Sequence, residues 1–258
     1  MERLERNLHD VRRRIAAAAV AAGRDPASVA LLAVSKTWPA ADVRALAALG
    51  QRDFGENRVQ ELVGKTTELA DLTGPAGAPV RWHFVGQLQR NKAAAVARLG
   101  AVVHSVDRSA LAQVLDRVGQ ESDRPVEVLL QVDLAAEAGQ SSAGGAAPRG
   151  GAAPHEIPAL ADLVGGAPGL RLLGLMAVAP LGADPAPAFE RLATLATRVR
   201  ADHPDAVELS AGMSGDLEQA IAAGATLVRV GTALFGDRPL LSGGIEAHQH
   251  HESQAPPT

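Results

Sequence analysis

Lysine is rare in this chain, and one lysine stands where it could act as a nucleophile. Among the 25 lysine and arginine residues, lysine occupies only positions 36, 65 and 92. Lys36 follows the apolar run 29–34 and lies in the segment Ser35-Lys36-Thr37. A lysine amine can lose its proton when it is desolvated, whereas an arginine guanidinium cannot, so this position favours amine chemistry. The alternative is an ordinary lysine whose stem lies along apolar surface at the end of a strand.

Two stretches of small residues in the last quarter of the chain could bind a phosphate. Residues 210–216 read Ser-Ala-Gly-Met-Ser-Gly-Asp, and Gly231-Thr232 precedes a short apolar segment. Each stretch places a glycine and a hydroxyl where a helix is expected to begin, and free backbone N–H groups there favour an anion. Helix capping by Ser, Asp or Thr explains either stretch alone. Their occurrence after two consecutive strands favours a phosphate site.

The chain alternates between apolar runs of strand length and segments with helical spacing. The eight predicted strands are residues 29–34, 51–55, 80–85, 101–106, 126–132, 170–178, 206–209 and 226–230. Strict alternation predicts a parallel sheet, and eight units in about 250 residues is the size of a barrel. An open doubly wound sheet is the alternative, but no G-x-G-x-x-G turn follows the first strand. We therefore predict an α/β fold, a (β/α)8 TIM-type barrel, with residues 1–240 as one domain.

Three further segments lie outside the eight repeating units. Residues 2–22 are predicted to form an extra N-terminal amphipathic helix, because four apolar residues share one helical face. Those residues are Leu4, Leu8, Val11 and Ile15. Residues 135–153 are rich in Ala, Gly and Ser, which predicts a flexible low-complexity loop within the barrel. Residues 241–258 predict a disordered tail, whose histidines lack the fixed geometry of a metal site.

Composition excludes several classes of protein. The chain has no cysteine, which removes disulfides, thiolate catalysis and cysteine metal sites. A net charge of -4 argues against nucleic-acid binding. No apolar run is long enough to cross a bilayer, and the N-terminal segment is too polar for a signal peptide. We therefore expect a cytoplasmic protein that binds neither nucleic acid nor membranes, and a single compact barrel is expected to be a monomer.

In a barrel, the lysine and the two candidate phosphate loops all lie at the C-terminal ends of strands. We expect Lys36 to face these loops across the barrel mouth. A cofactor with an aldehyde at one end and a phosphate at the other would join them, and pyridoxal 5'-phosphate (PLP) has this chemistry. The sequence therefore predicts PLP as cofactor. A sugar-phosphate barrel enzyme with a Schiff-base lysine is an open alternative.

Five stretches together match one family. They are LLAVSKTWP, DFGENRVQEL, WHFVGQLQRNKA, GLMAVAP and LSAGMSGDLEQAIAAGATLVRVGTALFG, spread over residues 31–236. With these stretches the chain resembles the pyridoxal phosphate homeostasis proteins, single-barrel relatives of the N-terminal domain of bacterial alanine racemase. The resemblance implies a PLP-binding protein of vitamin B6 homeostasis. The segment after the fifth strand departs from the family pattern, because it is longer and has no lysine.

The resemblance also implies a set of cofactor-binding residues. They are Lys36, Asn57, His83, Met176, Ser210, Ser214, Arg229, Gly231 and Thr232. Lys36 would form a Schiff base with PLP, Ser214, Gly231 and Thr232 would hold the phosphate, and Arg229 would lie beside the pyridine nitrogen. The remaining four would line the cofactor, although His83 is explained equally well as a core histidine. Arg229 could instead be a structural ion-pair partner.

The other charged residues near these motifs have simpler explanations. Glu56 could be a structural partner of a backbone group or an arginine. Asp216 and Glu218 fit the first turn of a helix, where capping suffices. Lys65 lies on a polar helix face and is predicted to be exposed to solvent.

The same residues favour a carrier over an enzyme. An arginine beside the ring nitrogen keeps the pyridine neutral, which makes it a weaker electron sink. Related racemases take a second base from a tyrosine of another domain, and this chain has no tyrosine. We therefore predict no catalytic residues and a protein that buffers or delivers PLP by reversible exchange, with PLP-dependent apo-enzymes as possible recipients. A weak amino-acid racemase is the alternative.

Overall fold

A computed structural model describes residues 1–72, 79–135, 150–180 and 182–236. The predicted tail at 241–258 and all but the ends of the predicted loop at 135–153 lie outside these ranges. Within the described ranges, no helix is both long enough and apolar enough to span a membrane.

Eight parallel strands close into a barrel in sequence order. They are β1 (Ala30–Val34), β2 (Asp53–Glu56), β3 (Arg81–Phe84), β4 (Val102–Val106), β5 (Val126–Val132), β6 (Leu170–Ala177), β7 (Glu208–Ser210) and β8 (Leu227–Val230). The β1–β8 pairing completes the barrel, with Leu32 opposite Arg229 and Ala33 opposite Val230. The predicted α/β class and the (β/α)8 barrel are confirmed.

Helices surround this barrel. They are α1 (Glu2–Ala21), α2 (Ala40–Ala48), α3 (Val59–Glu68), α4 (Arg90–Arg98), α5 (Ser109–Glu121), α6 (Ile157–Gly165), α7 (Ala186–Asp202), α8 (Leu217–Ala222) and α9 (Thr232–Phe235). Short 3₁₀ segments occupy residues 26–28, 70–72 and 154–156. The first of these carries proline at its start, and so does the third, where a fixed φ and a missing N–H are tolerated.

Some predicted boundaries shift for identifiable reasons. The second strand begins at Asp53 and not at residue 51, because the buried side chain of Gln51 occupies the neighbouring backbone groups. Its Nε2 donates to the carbonyl oxygens of Leu31 at 2.7 Å and Asp53 at 2.9 Å. Helix α3 ends at Glu68, and a 3₁₀ turn follows at residues 70–72.

Burial divides the apolar residues into two clusters. The large cluster lies between the strands and the helices, and it includes Val103, Val128 and Leu130. A small cluster contains Val102, Leu129, Leu173 and Met176. Because side chains alternate between the two faces of a strand, this small cluster fills the inside of the barrel beside β4, β5 and β6. Leu32 of β1 is buried outside both clusters and pairs with Arg229 of β8, so apolar and polar side chains share the rest of the interior.

The N-terminal helix α1 confirms the predicted amphipathic pattern. Its buried residues are Leu4, Leu8, Val11, Ile15 and Ala19. Polar residues of the same helix bind the loops that follow β7 and β8. Arg14 donates to the Ser214 carbonyl oxygen at 3.1 Å and to Glu218 at 2.9 Å, while Asn7 donates to the Leu234 carbonyl oxygen at 2.7 Å. The extra helix therefore fixes the two loops in which the sequence predicts a phosphate site.

Candidate functional site

A pocket of about 290 Å³ opens at the C-terminal ends of the strands, close to the size range of small-molecule sites. Seven of the nine predicted residues line it: Lys36, Asn57, Met176, Ser214, Arg229, Gly231 and Thr232. His83 and Ser210 are buried and are not among the lining residues. The structure therefore brings most of the predicted set together around one cavity.

The position of Lys36 relative to the two loops differs from the expectation. We expected the lysine to face them across the barrel mouth, but β1 pairs directly with β8, which in turn pairs with β7. Lys36 therefore follows a strand that is adjacent to the two loops, because closing eight strands in sequence order makes the first and last strands neighbours. Gly231 permits the end of β8 to lie close to the end of β1, since a Cβ at this position would lie 3.1 Å from the Val34 carbonyl oxygen.

A larger cavity of about 650 Å³ lies beside α7, bordered by His155, Arg191 and Arg198. None of the predicted site residues lines it. The smaller pocket occupies the barrel face where (β/α)8 proteins carry their active sites. We therefore take the smaller pocket as the candidate site.

One end of the pocket offers unused hydrogen-bond donors. The backbone N–H groups of Ser214, Gly215 and Thr232 donate to no residue that the structure describes. The Ser214 hydroxyl oxygen accepts only a long bond of 3.4 Å from the Ala233 N–H. The Asp216 carboxylate accepts from the Met213 N–H at 2.6 Å and not from an N–H of α8. Side-chain capping therefore does not occupy the backbone N–H groups of these loops, which remain available to an anion.

The corner that carries Lys36 is fixed by polar contacts on both sides. The Ser35 N–H donates to the Gly55 carbonyl oxygen at 2.9 Å. Thr37 has a φ of 68°, an unfavourable conformation for a β-branched residue. Its N–H donates to the Glu61 carboxylate at 2.6 Å. Strained residues persist where the surroundings hold them, and here the strain lies next to the candidate nucleophile.

Lys65 corrects one prediction. Its side chain is only 9% exposed, and its Nζ lies 2.5 Å from Glu56 Oε1 and 2.8 Å from the Ser35 carbonyl oxygen. The polar pattern of α3 predicted exposure, but Lys65 follows Leu62 by three residues and shares its buried face. The predicted partner of Glu56 was a backbone group or an arginine, and the structure shows this lysine together with the Ser35 hydroxyl, at 2.6 Å.

The buried pair adjoins the Lys36 corner through Ser35. Glu56 is fully buried, and burial raises the pKa of its carboxyl group, an effect that the charge of Lys65 opposes. Its Oε2 atom has no hydrogen-bond partner in the described part of the chain. Because Glu56 and Lys65 both bond to Ser35, the pair anchors the residue immediately before Lys36.

Arg229 forms part of the pocket floor. Its guanidinium donates to the Ser210 carbonyl oxygen at 2.6 Å, the Ser210 hydroxyl at 2.8 Å and the Ala177 carbonyl oxygen at 2.8 Å. These acceptors are neutral, so the contacts do not match the ion-pair alternative. Burial lowers the pKa of Arg229 to about 10, which leaves the side chain charged at neutral pH.

Asn57 supplies a second polar group to the pocket. Its Oδ1 atom is buried and accepts no hydrogen bond from any residue in the described ranges. An unpaired buried amide oxygen is costly, and a ligand group that bonds to this amide would remove the cost.

Sequence reasoning missed two residues of this region. Trp38 lines the pocket and stacks on Phe235 at a centroid distance of 5.7 Å, with the Arg3 guanidinium 5.8 Å from the Trp38 ring. His104 lies below the pocket, between His83 and Ser210. The segment around His104 reads as an apolar strand, and nothing in its local pattern indicates a hydrogen-bonded histidine.

The closed barrel and its pocket define the class of protein. They match the architecture of the alanine racemase N-terminal domain, and the sequence model of the family "Alanine racemase, N-terminal domain" matches residues 2–239. The alanine racemase of Corynebacterium glutamicum superposes with a TM-score of 0.61 at 18% identity, over 94% of this chain and 63% of that enzyme. At this identity the likeness concerns the fold alone.

Closer relatives identify the family within this class. A protein of Pseudomonas aeruginosa named pyridoxal phosphate homeostasis protein is 47% identical over 238 residues, which cover 92% of this chain and 97% of the relative. PipY of Synechococcus elongatus, solved with and without PLP, superposes with a TM-score of 0.75 at 37% identity, over 90% of this chain and all of PipY. The chain belongs to the pyridoxal phosphate homeostasis protein family, which confirms the resemblance found in the sequence.

The Glu56–Lys65 pair yields a stability prediction. We expect Lys65→Met to lower the free energy of unfolding by about 3–5 kcal/mol, because it leaves Glu56 buried without its partner. Replacing both residues, as Glu56→Gln with Lys65→Met, should cost less than the lysine change alone. Urea denaturation of the purified variants measures both values.

The third lysine provides the control for this experiment. Lys92 is partly exposed, and Lys92→Met should change the free energy of unfolding by less than about 0.5 kcal/mol. Equal losses for Lys65→Met and Lys92→Met would contradict the structural role of the buried pair.

The two buried histidines predict a pH dependence of stability. Burial lowers the pKa of His83 and His104 below the ordinary value of 6.5, an effect that the hydrogen bond to Asp53 partly opposes at His83. As the pH falls, the unfolded chain therefore binds protons that the folded chain does not. The contribution of the two histidines to the free energy of unfolding is fully present above about pH 6.5 and declines as the pH falls below that value. Each histidine contributes a slope of up to about 1.4 kcal/mol per pH unit.

Comparison with a His83→Gln/His104→Gln variant isolates this contribution. Glu56 and Glu208 have raised pKa values and give slopes of the opposite sign, but they remain in both proteins. Between pH 7.5 and 5.5, the free energy of unfolding should fall more steeply in the unchanged protein. The same slope in both proteins would rule out the histidines as its source.

Proposed function

We propose that this chain binds PLP in the pocket at the C-terminal barrel face and holds it covalently through Lys36. The observation that carries the proposal is the presence, in one pocket, of the Lys36 side chain and of the unused amides of Ser214, Gly215 and Thr232. PLP supplies an aldehyde that condenses reversibly with a primary amine and releases water. The family assignment and the structure of PipY with PLP bound support the same cofactor.

The residues of the pocket fit the two ends of this cofactor. At one end, the three amides and the hydroxyls of Ser214 and Thr232 supply donors for a phosphate. Gly231 lies beside them with no side chain to obstruct the anion. Trp38 and Met176 offer apolar surface to a planar ring.

The polar groups of a pyridine ring also find candidate partners. The unpaired Oδ1 atom of Asn57 would accept a hydrogen bond from the ring hydroxyl. Arg229, already fixed on three sides, would donate a remaining N–H to the ring nitrogen. An arginine there leaves the ring nitrogen unprotonated, which makes the bound ring a weak electron sink.

We infer that the protein stores and delivers PLP and does not consume it in a reaction. The relatives are named homeostasis proteins and not enzymes. Among the described residues that line the pocket, Lys36 and Arg229 are the only ionisable ones, so the pocket supplies no second general base. Steady racemisation of an amino acid by the pure protein, lost in Lys36→Ala, would favour the racemase alternative.

Delivery would proceed when an incoming amine displaces Lys36 from the aldehyde. The recipient proposed for the released cofactor is a PLP-dependent apo-enzyme. The cytoplasmic location and the monomeric state stay predictions from the sequence. The assignment of residues 1–240 to one domain also stays a prediction.

The covalent link to Lys36 is directly measurable. After incubation with PLP, borohydride reduction should leave a stable pyridoxyl mass on the peptide that contains Lys36. Lys36→Ala should lose this mass and the visible absorbance of the link, but it should retain part of its affinity through the phosphate contacts. Lys92→Ala should behave like the unchanged protein. A pyridoxyl mass on Lys65 or Lys92 instead would refute the assignment of Lys36.

The phosphate end is tested by removing its two hydroxyls. Ser214→Ala with Thr232→Ala should weaken PLP binding at least tenfold, because a hydrogen bond to a charged group contributes about 1.5–3 kcal/mol. Affinity for pyridoxal, which lacks the phosphate, should stay the same. Equilibrium titration followed by absorbance measures both constants.

The exposed Thr197, whose hydroxyl bonds within its own helix, provides a matched control as Thr197→Ala. If the double variant kept the full affinity for PLP, Ser214 and Thr232 would not be phosphate ligands.

A further inference from the structure

Five polar side chains form a hydrogen-bonded chain through the inside of the barrel. Arg229 Nη1 lies 2.8 Å from Ser210 Oγ, which lies 3.1 Å from His104 Nδ1. His104 Nε2 lies 2.8 Å from His83 Nδ1, and His83 Nε2 lies 3.0 Å from Asp53 Oδ1. The chain therefore leads from the pocket floor to Asp53, the first residue of β2, at the opposite end of the barrel.

The two ends of this chain determine the direction of every bond within it. Arg229 can only donate, so Ser210 Oγ accepts from it, and the Ser210 hydroxyl in turn donates a hydrogen bond to His104 Nδ1. His104 must then carry its proton on Nε2 and donate to His83 Nδ1. His83 in turn donates from Nε2 to Asp53, whose carboxylate can only accept. This direction holds for neutral imidazoles, which burial favours by lowering the pKa of both rings. Both rings then share one tautomer, with the proton on Nε2.

Only one member of the chain touches the pocket. Arg229 lines the pocket, whereas Ser210, His104 and His83 are at most 1% exposed and are not lining residues. Ser210 accepts two of the three bonds that Arg229 makes, through its carbonyl oxygen and its hydroxyl. Any effect of the histidines on a ligand must therefore pass through Ser210 and Arg229.

We propose that His104 and His83 are positioning residues that hold the Arg229 guanidinium, through Ser210, in the orientation that meets the ring nitrogen of the bound cofactor. This inference rests on the proposed binding of PLP. Without His104, the Ser210 hydroxyl loses its acceptor and is free to rotate away from Arg229. The effect should then fall on the ring-nitrogen end of the cofactor, because the proposed phosphate donors are Ser214, Gly215 and Thr232, and none of them belongs to the chain.

A comparison of two ligands tests this role. One is PLP, and the other is its carbocyclic analogue, in which a C–H group replaces the ring nitrogen while the aldehyde and phosphate are kept. His104→Leu should weaken PLP binding by about 2–10-fold, the range expected for one hydrogen bond, and should change the affinity for the analogue by less than about twofold. Absorbance titration of both proteins with both ligands gives the four constants.

His9→Leu, which changes an exposed histidine of α1, is the matched control and should alter neither affinity. An equal loss of affinity for both ligands in His104→Leu would show that His104 has a merely structural role. No loss for either ligand would show that His104 has no role in binding. Both results overturn the inference. Failure of the unchanged protein to bind PLP would instead overturn the proposed function.

The tautomers provide a test that needs no variant and no ligand. In the nitrogen-15 NMR spectrum of the unchanged protein at neutral pH, His83 and His104 should both be neutral, with the proton on Nε2. A proton on Nδ1 of either ring, or a charged imidazolium, would overturn the direction of the chain and with it the proposal.

Discussion

The pairing of β1 with β8 is the constraint on which the candidate site depends. It closes the barrel and places Lys36, which follows β1, beside the loops that follow β7 and β8. Strands in a parallel barrel end on the same face, so a residue near position 36 and residues near position 230 can line one pocket. The N-terminal helix reinforces this junction, because Arg14 and Asn7 hold the carbonyl groups of the two loops.

Two networks of buried polar side chains lie near the pocket, one between β2 and α3 and one inside the barrel. Buried polar groups are costly unless they are paired, and here nearly all of them belong to one of two networks. The Glu56–Lys65 pair supports the corner that carries Lys36, and the histidine chain supports Arg229. Each network is thus linked to one residue that the proposed cofactor would contact. The apolar cluster around Met176 and the buried Leu32 contribute to the rest of the interior.

Periodicity was sufficient to predict the fold, since eight alternating units leave few topologies other than a barrel. The lining residues followed from motifs that the family shares, and seven of the nine meet in the pocket. Lys65 was mispredicted because the polar pattern of a helix suggests that its charged residues are exposed. That pattern does not reveal that the carboxylate of Glu56 is buried on a neighbouring strand. His104 was missed because its partners lie 21 and 106 residues away in sequence. Pairings of this kind depend on barrel register, which a local pattern does not contain.

The claim that one pocket joins an amine to an anion site is tested most directly by a crystal structure of the protein loaded with PLP. We expect the phosphate oxygens to lie within hydrogen-bond distance of the backbone nitrogens of Ser214, Gly215 and Thr232, and the cofactor's aldehyde carbon to be bonded to Lys36 Nζ. A cofactor bound in the cavity beside Arg191 and Arg198, with these three amides left without a ligand, would contradict it.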